Sequence, residues 1–149
     1  MKYMCLVYHE EKKLDALSQA ELDALVAECD DWVKELAQNG QHVFSAGLQS
    51  IRTARTVRSR NDKLSLTDGP FAETKEFLGG FTIINARDLN EAIQLASKLP
   101  AVRVGTIEVR PVLEADAELT DPLDRKIGAA ICRRPHPETF LAAAKPSIE

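Results

Sequence analysis

The run Tyr3-Met-Cys-Leu-Val-Tyr8 is apolar at both alternating sets of positions. Successive side chains of an extended strand point to opposite faces, so a strand of this kind needs cover on both. Phe81 to Ala86 reads the same way, with apolar residues on either side. Two such strands restrict the chain to a sheet with a layer above and a layer below.

The remaining pattern supplies one of those layers. Ser18 followed by Glu21 is a capping-box signature, and Leu22, Leu25, Val26, Cys29, Trp32, Val33 and Leu36 then draw one apolar stripe at helical spacing up to a stop at Gly40. A second box, Asp88 with Glu91, opens a shorter helix through Leu89, Ala92, Ile93, Ala96 and Leu99, ended by Pro100. Strands are expected over residues 2–8, 42–49, 53–60, 63–67, 81–86 and 104–112, with His9 to Lys13 as a loop and Asn61-Asp62 as the turn of a hairpin. Gly79-Gly80 reads as the lead-in to Phe81. The order is β-α-β, hairpin, β-α-β, a split-βαβ, ferredoxin-like α+β pattern. Two helices cover one face of such a sheet. The simplest cover for the other is a second copy, so a homodimer is expected.

Beyond Leu113 the composition changes. Pro122, Pro135, Pro137 and Pro146 interrupt the last residues; a helix starting at Pro122 would carry Leu123, Ile127 and Ile131, and one from His136-Pro137 would carry Phe140 and Leu141. We read residues 1–113 as the domain and 114–149 as an extension, either a helical arm or a mobile tail.

The formal net charge of −4, with both signs mixed along the chain, leaves no basic stripe for nucleic acid or an anionic membrane. No apolar run approaches the ~20 residues of a membrane span, and the N-terminus lacks a signal-peptide pattern, so a cytoplasmic protein is expected. Cys5, Cys29 and Cys132 are too few and too widely spaced for a disulfide or zinc framework. There is no GxxxxGK, GxGxxG or Gly-x-Ser-x-Gly element, so no cofactor or metal is expected.

The segment Asp68-Gly-Pro-Phe-Ala-Glu-Thr-Lys-Glu-Phe-Leu-Gly-Gly-Phe81 resembles the DGPF motif that marks one branch of the YCII-related proteins. Met1-Lys-Tyr-Met-Cys-Leu-Val-Tyr8 and Ile107-Glu-Val-Arg-Pro-Val112 resemble the flanking strands of the same family, in the same order. The resemblance implies a dimeric α+β barrel of ferredoxin-like subunits. Related barrels include small-molecule isomerases, lyases and cofactor-free monooxygenases. Members of this branch also occur beside, or fused to, extracytoplasmic-function sigma factors, which implies a ligand-binding or protein-interaction module in a regulatory setting as the alternative to an enzyme. Some YCII-related proteins carry a His/Asp acid–base arrangement, but neither His9 nor His42 matches a family histidine.

The candidate site residues cluster around the motif. Gly69 permits positive φ and Pro70 fixes the next φ, so the loop is a rigid turn that would aim Asp68 or Glu73 into a cleft as general base. Lys75 would hold an anionic substrate. Glu108 and Arg110, two apart on one face of the last strand, would grip a polar substrate, Arg110 through its planar fork. Each has a structural alternative: Asp68 capping its own turn, Glu73 to Glu76 solvated, and Glu108 paired with Arg110. The activity expected is cofactor-independent acid–base chemistry on a small polar or anionic molecule.

Overall fold

A computed structural model describes residues 1–113 and 120–131. The chain divides into two units, Met1–Val112 and Leu113–Glu149. In the second unit a helix, α4, runs from Pro122 to Ile131, where the prolines led us to expect one. The expected helix at His136-Pro137, and Cys132, lie outside the described residues.

The first unit is ferredoxin-like. Strands β1 (Lys2–His9), β2 (His42–Gly47), β5 (Phe77–Asn85) and β6 (Gly105–Pro111) form one antiparallel sheet in the order β2-β5-β1-β6. Helices α2 (Gln19–Gln38) and α3 (Leu89–Ala96) pack on one face. Strands β3 (Arg55–Arg60) and β4 (Lys63–Asp68) pair only with each other, so the hairpin stands apart from the main sheet. Its turn residues Asn61 and Asp62 have φ of 50° and 58°. Both central residues at positive φ is the arrangement a two-residue hairpin loop favours.

Sequence dictates which face is buried. Tyr3 and Cys5 on β1 and Ile84 on β5 point under the helices and meet Trp32 and Leu36 of α2, Ala92 and Ala96 of α3, and Leu99. Trp32 Nε1 donates to the Leu95 carbonyl at 3.1 Å, tying α2 to α3. Burial pushes the Cys5 thiol up to about 11, so it remains protonated at neutral pH and acts as a small apolar side chain. The alternate residues Met4, Leu6, Phe81 and Ile83 face away from the helices, half-buried, and Phe44 beside them is 52% exposed. Within this unit the second face has no helix layer.

Several expectations need correction. The exit from β1 is not all loop: Glu11–Asp15 forms a short helix, α1. Thr53 belongs to a 3-10 turn over Ile51–Thr53, and β3 begins at Arg55. At α3 the Asp88 side chain accepts from the Glu91 N–H, but Glu91 reaches back to the Arg87 N–H, not to Asp88, so the box is only half formed; the box at Ser18 is complete.

The largest difference is Gly79-Gly80, which lies within β5 and not before it. The reason is close approach. A Cβ at Gly79 would collide with the His9 ring, and one at Gly80 would come within 2.8 Å of the Ala46 carbonyl oxygen. The β1–β5 register shifts at the same place, between Val7 and Tyr8. Gly105 is tighter still, because a Cβ there would run into the Tyr8 carbonyl oxygen, which is backbone and cannot rotate away. Gly105→Ala should therefore destabilise the fold by about 1–3 kcal/mol. Gly79→Ala should cost less, since the His9 ring can turn aside. Denaturant midpoints at unchanged slope would measure both, and equal losses would contradict this reading of the two positions.

Candidate functional site

The β1 exit, the β2–β3 connection and the segment before β5 meet at one end of the sheet. They border an open cavity of about 730 Å³. One wall is Leu48 to Ala54 running into β3 as far as Val57; the facing wall is Pro70, Phe71, Ala72, Thr74, Glu76, Phe77 and Leu78; Tyr8 lies between them. The lining is mainly apolar, with Tyr8, Gln49, Ser50, Thr53, Arg55, Thr56, Thr74 and Glu76 as its polar residues.

Local chemistry holds the motif loop in place. Gly69 has φ of +92°, and its N–H donates to the Ala54 carbonyl at 2.9 Å. Thr56 Oγ1 donates to the Gly69 carbonyl at 2.8 Å, and the Arg58 guanidinium donates to the Phe71 carbonyl. The loop is therefore sewn to β3. Thr74 Oγ1 donates to the Glu76 carbonyl at 2.7 Å, and Thr106 Oγ1 on β6 donates to Glu76 Oε2 at 3.0 Å.

The residues singled out from sequence are dispersed. Asp68 is 83% exposed, ends β4, and pairs with Arg55 Nε at 3.1 Å across the hairpin. Arg55 faces the cavity while Asp68 is outside its lining, so Asp68 touches the site through Arg55. Glu73 is exposed and outside the lining as well. Lys75 points to the opposite side of the loop, 3.9 Å from Glu10 Oε2, in a smaller cavity with Glu11 and Arg52. Glu108 and Arg110 share a face of β6 and pair at 3.6 Å; they too are outside the cavity lining. His9 and His42 are not together: His9 stands opposite Phe77 at one end of β5 and His42 opposite Ile84 at the other. His42 Nε2 lies 2.8 Å from Ser45 Oγ, which donates to Thr82 Oγ1 at 3.0 Å.

Two residues that sequence reasoning passed over stand in the cavity. Glu76 appeared as one of a solvated run. Its position just before β5, at the edge of β6, was not visible while that strand was expected to begin at Phe81. Tyr8 was read only as an apolar strand residue. Its alternation with Met4 and Leu6 was the available signal, since it places the phenol on the face that carries Glu108. Burial first, and then the charge of Glu108 and a hydrogen bond donated to it, push the Tyr8 phenol above its ordinary range. Among the described residues no group of three or more His, Cys, Asp or Glu is placed to hold a metal ion, and no helix is long and apolar enough to cross a membrane.

Fold and site together define a ferredoxin-like α+β domain with a cavity built by an inserted hairpin and the loop that follows it. The model of the YCII-related domain family matches residues 1–116, and the chain belongs to that family. It is similar to the uncharacterized protein R00369 of Rhizobium meliloti (strain 1021), 32% identical over 114 residues, covering 75% of this chain and 92% of that protein.

A raised phenol value gives a signed expectation. The Tyr8–Glu108 interaction stabilises the fold fully below the unfolded phenol value of about 10 and loses that contribution as pH rises through the higher folded value. Glu108→Gln should bring the Tyr8 titration down, read by ultraviolet absorbance with Tyr8→Phe as the reference. An unchanged titration would separate Tyr8 from Glu108.

Proposed function

We propose that this YCII-related domain binds a small, mainly apolar molecule with a hydrogen-bonding or anionic end in the cavity beside the Asp68–Phe71 loop, and acts on it by cofactor-independent acid–base chemistry. The observation that carries the reading is the pairing of an apolar, aromatic-walled cavity with few convergent polar groups, the usual form of a small-molecule site. Glu76 is the base in this reading. Its carboxylate lines the cavity and is oriented by Thr106 Oγ1 at 3.0 Å. Tyr8 keeps its proton at neutral pH, donates it in a hydrogen bond to Glu108 on β6, and presents its phenol oxygen as an acceptor opposite. Arg55, held by Asp68, receives an anionic group at the rim. Asp68 thus passes from candidate base to the partner of Arg55, and Glu73 has no role in this reading.

4-Hydroxybenzoate suits this arrangement, with a hydroxyl for Glu76 and a carboxylate for Arg55. Calorimetric titration within a panel of phenols and hydroxy acids should find binding that weakens roughly tenfold in Glu76→Gln, the cost of one charged hydrogen bond. If no member binds, or if Glu76→Gln binds equally well, the cavity is not the site.

The partner in this reading is a second copy of the chain. The uncovered sheet face carries Leu6, Phe81, Ile83 and the 52% exposed Phe44, while the hairpin exposes Val57 at 65%, Leu66 at 67% and Leu64 at 78%. Apolar surface of this extent favours burial in an interface. Sedimentation equilibrium should give a dimer that Phe44→Glu dissociates. A monomer at all concentrations, or a dimer indifferent to Phe44→Glu, would leave that face without this partner.

A further inference from the structure

One wall of the cavity follows β2 and leads into the hairpin, and the other follows the hairpin and enters the main sheet at Phe77, where β5 begins. The hairpin has no strand partner outside itself. The Leu48–Ala54 wall joins the sheet through the Leu48 N–H donated to the Gly79 carbonyl at 2.8 Å, and joins the loop of the facing wall through the Ala54 carbonyl, which accepts from the Gly69 N–H at 2.9 Å; Thr53 N–H to Ser50 and Ala54 N–H to Ile51 are internal. These bonds, with those from Thr56 and Arg58 to the Gly69–Phe71 loop, fix the two ends of that wall and leave Ser50 and Ile51 between them.

Two adjacent carboxylates at the β1 exit reach the two walls from behind. Glu11 Oε1 accepts from Ser50 Oγ at 2.8 Å and from the Ile51 N–H at 3.1 Å, and its second oxygen lies 4.0 Å from Arg52 Nε. Ser50 and Ile51 both line the cavity; Glu11 does not, and instead faces the two smaller cavities on the far side of that wall. Glu10 serves the opposite wall. Its Oε2 is buried without a hydrogen bond and lies between Lys13 Nζ at 3.7 Å and Lys75 Nζ at 3.9 Å, next to Thr74 and Glu76 in the chain. The hydrogen bonds from Ser50 and Ile51 hold the Glu11 carboxyl below its ordinary range, as expected for a carboxylate stabilised by this grip.

We propose that Glu10 and Glu11 are positioning residues that clamp the two walls of the cavity to the end of β1 and so set its aperture for ligand. The inference rests on the reading of this cavity as the ligand site. Its structural half stands on the contacts alone. Glu11 is the stronger half, because one oxygen accepts two bonds from consecutive residues of one wall. Glu10 still has extended backbone and α1 begins at Glu11, so the two side chains diverge and neighbouring residues serve opposite walls.

The test is amide hydrogen exchange on the full chain, comparing wild type with Glu11→Ala, Glu11→Gln and Glu10→Ala, each also titrated with 4-hydroxybenzoate. Glu11→Ala should speed exchange of residues 50–54 roughly tenfold, the loss expected for one charged acceptor, with β1, β5 and α2 unchanged. Glu11→Gln keeps an acceptor oxygen and should stay near wild type. Glu10→Ala should loosen residues 72–76 in the same confined way. Where wild type binds 4-hydroxybenzoate, both alanine variants should bind it more weakly. Unchanged exchange in residues 50–54, or a uniform rise across the sheet and α2, overturns the clamp. Absence of binding to wild type overturns the reading of the cavity, while the exchange pattern decides the clamp separately.

Discussion

The central position of β1 governs this molecule. It is hydrogen-bonded on both edges, to β5 and to β6, and its alternate residues belong to two different environments. Tyr3 and Cys5 complete the core beneath α2 and α3, whereas Met4, Leu6 and Tyr8 form the spine of the opposite face. A shift of one residue in its pairing would exchange the two sets, so register is specified from both sides. The β1–β5 register shift at Val7/Tyr8, with Gly79 opposite it, and Gly105 opposite His9 on the other edge then bring the end of the strand close to both neighbours.

The site follows from how the hairpin is attached. A hairpin bonded into the main sheet would be rigid and would leave no space beside it. Here its base is tied by hydrogen bonds between the Gly69–Phe71 loop and β3, and the segment leading into it is held at Ser50 and Ile51 by Glu11. The space between is apolar because Leu48, Ile51, Phe71 and Phe77 face into it, and polar at the points where Glu76, Tyr8 and Arg55 enter. Function loops carried by a firm scaffold are the usual division of labour in small domains.

Much of the fold was legible in sequence because its signals are periodic or local. The Ser18–Glu21 box, the stripe ending at Leu36 and the Asn61-Asp62 turn each carry their own physical reason. The start of β5 was not legible: a Gly-Gly pair reads as a break unless one knows that the His9 ring and the Ala46 carbonyl occupy the missing side-chain positions. The site was legible as a region and not as residues. The Asp68–Phe81 segment does border the cavity, but which of its carboxylates enters depends on strand direction and on partners distant in sequence. Asp68 meets Arg55 across the hairpin and Lys75 meets Glu10, while Glu76 turns inward to Thr106, thirty positions along the chain.

The account depends on the cavity between Leu48–Val57 and Pro70–Leu78 being the place where ligand binds. The most direct measurement is a residue-by-residue map of amide chemical-shift changes in isotope-labelled protein titrated with 4-hydroxybenzoate. The account predicts saturable changes centred on Ile51, Thr56, Phe71, Thr74, Glu76 and Phe77, with the amides of α3 unaffected. Changes centred on Trp32, Ser45 and Thr82, which line a separate cleft on the helix side of the sheet, or none at any concentration, would contradict it.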